Sequence, residues 1–286
     1  MTRLLAIFLF LPLTALADLV PAGRLVWEQE NLSSFGGFSG IEVFADGRFL
    51  AITDRGNFFW GEIKRENGEL VEVHLDDHTA ILDSKGTPLD GLNTDAEGLA
   101  IGPDGAIYVS FEGNHRIMRH SDKFAAAEFL PKHPDFATLQ RNSGMEALAI
   151  DRSGNIYTIP ERSGTLTRPF PVYQFDGAEW TRFAEIARSD DFLIAGADVG
   201  PDGRLYVLER GASLLRGFHV RIRRFTIADG LQDDETLYQS RAGNLSNFEG
   251  ISVWLDDTGQ TRLTLIADDN FNAFQRTIIE EYLVVD

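Results

Sequence analysis

The stretch EGLAIGPDGAIYVSFE at residues 97–112 decides the fold of this chain. Two apolar runs flank the turn Pro103-Asp104-Gly105. Asp-Gly pairs supply the positive φ that a tight β-hairpin needs. An acid stands at each end of the hairpin, Glu97 before the first run and Glu112 after the second. The stretch therefore predicts two short antiparallel strands whose open end carries two carboxylates.

The same unit recurs along the chain. Its copies start at Ser39, Glu97, Glu146, Ala195 and Glu249, at distances of 58, 49, 49 and 54 residues (39→97→146→195→249). A period of this length, built from short strands and Gly turns, is typical of a β-propeller, in which the repeats close into a ring to bury their faces. We therefore predict an all-β propeller of five four-stranded blades. Six blades are the alternative, if one long unit contains a degenerate blade.

The last repeat is one strand short. After the apolar run at 263–267, only the stretch 277–285 remains to form a further strand. The segment Arg24-Leu25-Val26-Trp27-Glu28 precedes the first repeat and has a strand-like pattern. We expect it to complete the last blade, so that both chain ends pair and no strand edge is left open. The repeats then occupy residues 18–286 as a single domain.

Residues 1–17 have the pattern of a signal peptide. Arg3 gives a positive start, an apolar run extends from 4 to 16, and Ala15-Leu16-Ala17 fits a cleavage site. The apolar run is too short to span a bilayer, so we expect cleavage after Ala17 and no membrane span in the mature protein. The chain has no cysteine, which suits a periplasmic or secreted bacterial protein without disulfides.

The chain is strongly acidic, with 26 Lys and Arg against 44 Asp and Glu and a net charge of −18. Such a charge repels nucleic acid and anionic lipid, and we expect no nucleic-acid partner. The sequence does not indicate an oligomeric state. Solubility explains much of the charge, but it does not require acids at matched positions of the repeats.

Two sets of matched positions carry these acids. The innermost strand of a propeller blade lines the central channel and the second strand returns beside it, so the start of one and the end of the other share a rim. The first set is Ser39, Glu97, Glu146, Asp198 and Glu249, with Asp198 three residues out of register. The second set is Asp54, Glu112, Glu161, Glu209 and Asp268. We therefore predict that up to nine carboxylates, the acids of both sets, surround one channel mouth.

So many like charges raise one another's pKa and need compensation. Ca²⁺ is one candidate, because its ligands are carboxylate and carbonyl oxygens. Arginines are another, since Arg55, Arg162 and Arg210 each directly follow an acid. Protonation for acid–base chemistry is a third. A purely structural interpretation, in which the acids bond loop N–H groups or arginines across blades, also stays open.

The fifth repeat ends in the densest cluster of oxygen-bearing side chains. Asp268-Asp269-Asn270 follows its second strand, and Arg276 stands a few residues later. Three consecutive side chains of this kind suit a cation or a polar substrate. An Asx-type turn is the alternative interpretation.

The repeats resemble a known family, the phytase-like or "esterase-like activity of phytase" domain family. The resemblance covers about residues 38–280 and rests on seven motifs in order: Phe38-Ser39-Gly40-Ile41, Ile52-Thr53-Asp54-Arg55-Gly56, Glu97-Gly98-Leu99-Ala100, Glu146-Ala147-Leu148-Ala149, Leu208-Glu209-Arg210, Asn247-Phe248-Glu249-Gly250-Ile251 and Asp268-Asp269-Asn270-Phe271. It implies an exported bacterial β-propeller with a phosphoesterase-like or ester-hydrolysing activity. A more distant similarity, to the gluconolactonase and paraoxonase propellers, implies Ca²⁺ held in the channel by Glu, Asn and Asp and hydrolysis of lactones or esters.

We therefore hypothesise a metal-assisted hydrolase that cleaves a small phosphate or carboxylic ester at the acidic channel mouth. Because carboxylates repel phosphate, this hypothesis requires cations that bridge the acids to an anionic substrate. The candidate catalytic residues are Glu97, Glu146 and Glu249. The candidate Ca²⁺ ligands are Asp54, Glu97, Glu112, Glu146, Glu161, Asp198, Glu209, Glu249, Asp268 and Asp269. The candidate substrate-binding residues are Arg55, Arg162, Arg210, Arg276 and Asn270. The alternative is a non-enzymatic periplasmic propeller that binds a cation, a small ligand or a protein partner.

Overall fold

The computed structural model describes residues 18–29, 31–140, 144–213, 217–240, 246–272 and 274–285. Within these ranges the regular structure is β-sheet, apart from two short 3₁₀ helices at Gly91–Asn93 and Pro134–Thr138. No helical segment there has both the length and the apolar character needed to span a bilayer. The predicted signal peptide, residues 1–17, lies outside the described residues.

Twenty β-strands occur in the described part of the chain. In order they are β1 (Asp18–Val26), β2 (Phe38–Val43), β3 (Arg48–Thr53), β4 (Asn57–Glu66), β5 (Glu69–Ala80), β6 (Ala96–Ile101), β7 (Ile107–Phe111), β8 (Arg116–His120), β9 (Glu128–Phe129), β10 (Ala147–Ile150), β11 (Ile156–Ile159), β12 (Phe170–Phe175), β13 (Trp180–Ile186), β14 (Leu193–Val199), β15 (Arg204–Ser213), β16 (Gly217–Ala228), β17 (Gly230–Gln239), β18 (Asn247–Leu255), β19 (Thr261–Asp268) and β20 (Ile278–Val285). Strands β2 to β17 form four antiparallel sheets of four consecutive strands each. These sheets are blades 1 to 4.

The fifth blade joins the two ends of the described chain. Its strand order is β18, β19, β20 and β1. Strand β1 pairs antiparallel with β20 from Asp18↔Val285 to Val26↔Ile278. The innermost strands β2, β6, β10, β14 and β18 each contact the next, and β18 contacts β2. The structure thus confirms a five-bladed propeller that is closed by the N-terminal strand.

The strand pattern follows from where each strand lies in its blade. All four residues of β10, the innermost strand of blade 3, are buried, because a neighbouring blade covers each face. The outermost strand β5 is polar and largely exposed. The turn glycines predicted from the repeats have positive φ, as at Gly105 (80°) and Gly154 (87°), a conformation that a Cβ disfavours.

Apolar side chains are buried between the blades. The described residues contain five such clusters, one at each junction of neighbouring blades. At the junction of blades 5 and 1, Trp27, Phe38 and Phe59 pack with Ile266 and Ile279. Ring closure therefore buries one face of each of these two blades, and the same packing holds the side chains at the channel mouth.

We predict that Ile279→Ala lowers the free energy of unfolding by about 2–5 kcal/mol, because it leaves a cavity where the closing blade meets blade 1. Ile279 is fully buried on β20. Val285→Ala is the matched control: Val285 lies on the same strand but is 46% exposed, and its replacement should cost no more than about 0.5 kcal/mol. Urea denaturation measures both. Equal, small losses would show that the closure packing is not important for stability.

Candidate functional site

In blades 1, 2, 4 and 5 the innermost strand carries a β-bulge at the position that begins the repeat, whereas the pairing of β10 in blade 3 has no register shift. The pairing register shifts at Phe38/Gly40, Ala96/Leu99, Ile194/Gly196 and Phe248/Gly250. A bulge adds one residue to a strand and changes the direction of its side chain, and Glu97 and Glu249 lie at these bulges. The glycine that follows lets the blades approach, since a Cβ on Gly98 would lie 2.7 Å from Leu148 Cβ of the next blade. The Glu-Gly pair therefore has two effects: the Glu places a carboxylate at the bulge, and the Gly allows the neighbouring blades to pack closely.

The second strand of each blade ends beside this position. One residue at the end of each second strand lies at the rim of the channel. In blades 1 to 5 these residues are Asp54, Glu112, Glu161, Arg210 and Asp268. The pairing defines the set: the N–H of Asp54 donates to Gly37 O at 2.8 Å, and Asp268 pairs with Asn247. Four members are the acids that the repeats predict. Blade 4 contributes a cation instead.

Glu209 was predicted for this set but lies inside blade 4. The matched acids of blades 1 to 3 follow their turn glycine by seven residues, whereas Glu209 follows Gly203 by six (209 − 203). A shift of one residue moves a side chain to the other face of a sheet. Glu209 is fully buried and accepts hydrogen bonds from Arg221 Nε at 2.6 Å and Arg223 Nη2 at 2.7 Å. The fold therefore removes Glu209 from the mouth and neutralises it within its blade.

Asp198, the out-of-register member of the first set, lies deeper in the channel. It stands two residues after the strand glycine of blade 4 (196→198). Glu42 and Ser252 hold the same position in blades 1 and 5 (40→42 and 250→252). Asp198 is therefore separated from the rim by three residues of strand and belongs to a second level, which the sequence interpretation missed.

The second level holds a pair of buried carboxyl groups. Asp198 accepts hydrogen bonds from the backbone N–H of Val199 at 2.7 Å and of Val253 at 2.6 Å. The hydroxyl of Ser252 donates to Glu42 Oε2 at 3.4 Å. Burial raises the pKa of Asp198 to about 7. Burial and the nearby Asp198 hold the pKa of Glu42 well above its usual value, so the pair retains a proton under mildly acidic conditions.

Three glutamates from separate blades do meet at the mouth. Burial raises the pKa of Glu97 well above its usual value, and the charges of Glu146 and Glu249 add to the shift. The pKa of Glu146 is raised in the same way, by burial and then by Glu249 and Glu161. The structure thus brings the three candidate catalytic glutamates into one electrostatic cluster.

Blades 1 and 4 add no acid at the bulge. The hydroxyl of Ser39 donates to Ala96 O at 2.5 Å, which ties blade 1 to blade 2. Ala195 occupies the corresponding position in blade 4. The ring of acids is therefore incomplete, and blade 4 breaks its symmetry.

Arg210 is the cation inside the carboxylate cluster. It donates to Glu249 and, at 2.5 Å, to Asn247 Oδ1, and its Nη2 lies 3.6 Å from Glu161 Oε1. Burial alone would lower the pKa of Arg210, but the charges of Glu249, Glu146 and Glu161 raise it. Arg210 thus neutralises the acids of blades 3 and 5 in particular.

Asp95 completes a group of three carboxylates at blade 2. One oxygen from each of Asp95, Glu97 and Glu112 lies within 4.8 Å of the others. Glu112 Oε1 accepts a hydrogen bond from Gly144 N at 3.1 Å. Burial, with Asp95 and Glu161 nearby, raises the pKa of Glu112 to about 7. We call Asp95, Glu97 and Glu112 the blade 2 triad.

The sequence contains a signal for Asp95 that the matched-acid argument missed. Asp95 stands two residues before Glu97, as Asn247 stands two residues before Glu249. Both belong to the motif [Asp/Asn]-x-Glu-Gly, and Asn247 Nδ2 donates to Glu249 Oε1 at 2.6 Å. Extending the repeat by two residues would have placed both polar side chains at the mouth.

A cavity of about 930 Å³ opens beside the blade 2 triad. Asp95 and Glu112 form part of its wall, and Lys132 and His115 stand on the surrounding loops. Lys132 Nζ donates to Asn114 O at 2.6 Å. Burial lowers the pKa of His115, whose Nδ1 is buried without a hydrogen-bond partner. The remaining walls are mainly apolar, with Leu92, Phe136 and Leu139.

A second group of acids lies at the junction of blades 5 and 1. Burial, followed by the charges of Glu249 and Asp54, raises the pKa of Asp268 to about 8. Burial raises the pKa of Asp54 to about 6, and its Oδ1 has no hydrogen-bond partner. Asp269 Oδ1 accepts a hydrogen bond from Gly37 N at 3.1 Å. Among the described residues, the group of carboxylates with the spacing of a metal site is the blade 2 triad and does not include these acids.

The five predicted substrate-binding side chains have different partners, although Arg162 and Arg210 share Glu161. The guanidinium of Arg55 stacks over the Phe271 ring, 3.2 Å from its centroid. Arg162 Nε donates to Glu161 at 3.0 Å. Arg210 lies within the carboxylate cluster. The Nε of Arg276 lies 3.3 Å from Glu28 Oε1, and Asn270 is exposed in a turn.

The two classes of buried glutamate predict opposite effects of the same substitution. Glu209→Gln should lower the free energy of unfolding by about 3–5 kcal/mol, because it leaves Arg221 and Arg223 without their buried partner. Glu97→Gln should raise the melting temperature at pH 8 in EDTA, because it removes a charge that its neighbours oppose. Thermal melts of both variants measure the contrast. A lower melting temperature for Glu97→Gln would contradict the crowding of the mouth.

The buried pair Glu42 and Asp198 predicts that the stability of the fold decreases as the pH rises. Glu42 and Asp198 have raised pKa values in the folded state, so the folded chain binds more protons than the unfolded chain, and stability falls as pH rises from about 4 to about 7. Glu42→Gln should raise the melting temperature at pH 8 more than at pH 5. Glu62→Gln, on strand β4 of the same blade and exposed, is the control. An equal gain at both pH values would contradict the pairing.

Comparison with known proteins supports the fold. The chain is similar to the α-L-arabinofuranosidase PaAbf62A from Podospora anserina, with 12% identity over 94% of this chain and 97% of that chain and a TM-score of 0.55. It is also similar to the gluconolactonase XC5397 from Xanthomonas campestris, with 14% identity over 93% of this chain and 86% of that chain and a TM-score of 0.50. Identities this low show the fold alone. No curated protein matches the chain by sequence.

A family model gives a more specific result. The family described as "Phytase-like: Esterase-like activity of phytase" matches residues 33–271. This segment contains the blade 2 triad, Arg210 and the acids at the junction of blades 5 and 1. The family is the one that the repeat motifs resemble, and the protein belongs to the phytase-like family.

Proposed function

We propose that the protein is an ester hydrolase that works at the blade 2 triad with a divalent cation, Ca²⁺ in the first instance. The observation that carries the proposal is the position of the triad, with three carboxylates within 4.8 Å beside a cavity of about 930 Å³. The cavity is large enough for a small substrate, since ligand sites commonly measure roughly 300–1,000 Å³.

The triad suits a hard cation. Its donors are all carboxylate oxygens, which Ca²⁺ and Mg²⁺ prefer, and the three side chains Asp95, Glu97 and Glu112 would hold the ion. The charge of Arg116 acts on Asp95, but this guanidinium donates its hydrogen bonds to the carbonyl oxygens of Gly113 and Asn93. The triad therefore keeps oxygen atoms for a ligand. A cation there would polarise the ester and lower the pKa of a bound water.

The chain's own residues position the reacting groups. The backbone N–H of Gly144 holds the Glu112 carboxyl at the wall of the cavity. Arg210 and Asn247 hold Glu249 on the other side of the mouth. Both carboxyl groups are thus fixed before a substrate arrives, which reduces the reorganisation that the reaction requires.

The cavity supports a substrate with an anionic and an apolar part. Lys132 offers an ammonium group to a phosphate or carboxylate. It is the one lysine among the described residues that line the cavity. Leu92, Phe136 and Leu139 would cover the apolar part. A bound cation and Lys132 together would offset the repulsion between the acids and a phosphate. We therefore favour a phosphate ester, with a carboxylic ester or lactone as the other outcome of the test.

The proposal includes export. The pattern of residues 1–17, with Arg3 before an apolar run and Ala15-Leu16-Ala17 at its end, supports cleavage of a signal peptide. The reaction would then take place in the periplasm or outside the cell, where calcium is available to a weak carboxylate site. N-terminal sequencing of the protein from an exporting bacterial host tests this part.

The activity test uses the chain from residue 18 onward. We predict hydrolysis of p-nitrophenyl phosphate with Ca²⁺ and its loss in EDTA. Asp95→Asn should lower kcat/KM by about 100-fold or more, because it removes an oxygen ligand and a charge from the ion site. p-Nitrophenyl acetate and a lactone panel, measured in parallel, identify the ester class.

The matched control is Asp104→Asn. Asp104 belongs to the same blade but lies in the turn at the far end of the hairpin, paired with Arg119 at 2.9 Å, so activity should be retained. Calcium should also raise the melting temperature of the unaltered chain and not that of Asp95→Asn. Calcium stabilisation without turnover of any ester would favour the non-enzymatic binding protein instead. Turnover that is insensitive to EDTA and to Asp95→Asn would overturn the proposal.

A further inference from the structure

A cavity of about 290 Å³ lies between blades 1 and 2, at the end of the propeller away from the mouth. The turn residue Gly105 and Trp60 of strand β4 line it, together with apolar side chains such as Leu50 and Ile107. We call it the blade 1–2 cavity. It shares no lining residue with the cavity beside the blade 2 triad. Its volume is at the lower end of the range for small-molecule sites.

Trp60 lies at the wall of this cavity with part of its side chain exposed. The other tryptophans, Trp27, Trp180 and Trp254, are at most 8% exposed, whereas Trp60 is half-buried. Phe124, on the loop after β8, is 60% exposed. Its ring is nearly perpendicular to the Trp60 ring, with the two centroids 5.7 Å apart. The rings of Trp60 and Phe124 form two sides of an open corner, which we call the aromatic corner.

The loop that carries Phe124 is held by hydrogen bonds of its own. Phe124 N donates to Asp122 Oδ1 at 2.8 Å, and Ala125 N donates to Asp122 O at 3.1 Å. The buried His120 ring places Nδ1 3.0 Å from Ala125 O. The aromatic corner is therefore preorganised, so a ligand does not have to order this loop when it binds.

An ammonium group already occupies the aromatic corner. Lys123 Nζ lies 4.5 Å from the centroid of the Trp60 ring and 5.1 Å from that of the Phe124 ring. Aromatic faces attract cations through the ring quadrupole, at distances of up to about 6 Å. Lys123 thus shows which chemistry the corner accepts. Its side chain is only half-buried, so it can leave the corner for solvent without unfolding the loop.

The charges around the blade 1–2 cavity favour a cation as well. Arg48 Nε donates to Asp46 Oδ2 at 2.7 Å, so these two charges offset each other. Asp76 and Asp122 also line the cavity. When Lys123 leaves the corner, these two carboxylates are the lining charges that remain beyond the Arg48–Asp46 pair. They attract a cation and disfavour an anion.

We propose that the aromatic corner binds a small organic cation, a quaternary or alkyl ammonium compound, in place of the Lys123 ammonium. Alkyl groups on the nitrogen would contact the rings of Trp60 and Phe124, and Asp76 and Asp122 would balance the charge. Because Lys123 competes with the ligand, the apparent affinity depends on the fraction of molecules in which the corner is open. This binding site goes beyond the proposed hydrolase and does not depend on it.

The indole N–H resonance of Trp60 in ¹⁵N-labelled protein reports binding at the corner, and Trp60→Phe assigns it. Choline is the probe. Neohexyl alcohol, which has a tert-butyl group in place of the trimethylammonium group, is the uncharged isostere, and acetate is the anionic comparison. We expect choline to shift the Trp60 resonance with a Kd of about 1–10 mM, as suits a small ligand held by few contacts. The uncharged isostere should bind at least about 5-fold more weakly.

Lys123→Ala gives the sharpest test, because the proposal predicts a gain of affinity. Removal of the competing ammonium should tighten choline binding by about 5- to 10-fold. Lys85→Ala is the matched control. It removes an exposed lysine that does not line the cavity, so it measures the effect of net charge and should change the Kd by less than about 2-fold. Phe124→Leu should weaken binding at least about 3-fold, since it removes one ring face.

Vesicles of pure phosphatidylcholine carry the same ammonium group on a lipid, so they separate the two sources of the ligand. Co-sedimentation that Lys123→Ala strengthens would identify the headgroup as the source. Choline binding without co-sedimentation would identify a free cation. Asp95→Asn should bind choline normally, so a failure of the proposed hydrolase leaves this test unaffected.

Three results would overturn the inference. The Trp60 resonance could stay unchanged at about 100 mM choline in both the unaltered chain and Lys123→Ala. Neohexyl alcohol could bind as tightly as choline, which would make the corner an apolar site without preference for charge. Lys123→Ala could bind choline no more tightly than Lys85→Ala, which would show that the ligand does not take the place of the Lys123 ammonium.

Discussion

A propeller blade is apolar on both faces, so it is buried only when it has a neighbour on each side. This constraint determines the rest of the molecule. Blades 5 and 1 can meet only if β1 pairs with β20, because that pairing completes the fifth sheet. Closure then packs Trp27 and Ile279 into the last junction. It also fixes five strand ends around one mouth, with no freedom to move apart.

This rigidity explains how the chain can hold so many carboxylates together. The charges of Glu146 and Glu249 raise the pKa of Glu97, and the charge of Glu249 raises that of Glu146. Each of the three lies in or directly before a strand that apolar packing on both faces keeps in place. Apolar burial on the scale of about 25 cal/mol per Å² can exceed the cost of such crowding. The repulsion is therefore retained in the folded state, where a proton or a cation can relieve it.

The fold could be predicted from the sequence because its signal is repeated. Period, Asp-Gly turns and the strand-like segment before the first repeat each specify the propeller independently. The site was harder to predict, because one residue of register decides which face a side chain occupies. Glu209 and Arg210 are neighbours in the sequence, yet Glu209 pairs with Arg221 inside the blade while Arg210 enters the mouth. Lys132 lies in a loop outside the repeat, where no periodicity points to it.

Blade 4 explains why the blade 2 triad is the better candidate for a cation. A ring with an acid in every blade would offer five equivalent positions. Here Arg210 takes the place of an acid. It donates to Glu249 and lies close to Glu161, so these two glutamates have a cation already. The blade 2 triad has no such bond to Arg210 among the described contacts, and two of its members, Asp95 and Glu112, line the larger cavity. Broken symmetry therefore leaves the blade 2 triad without this cation, next to the space that a substrate needs.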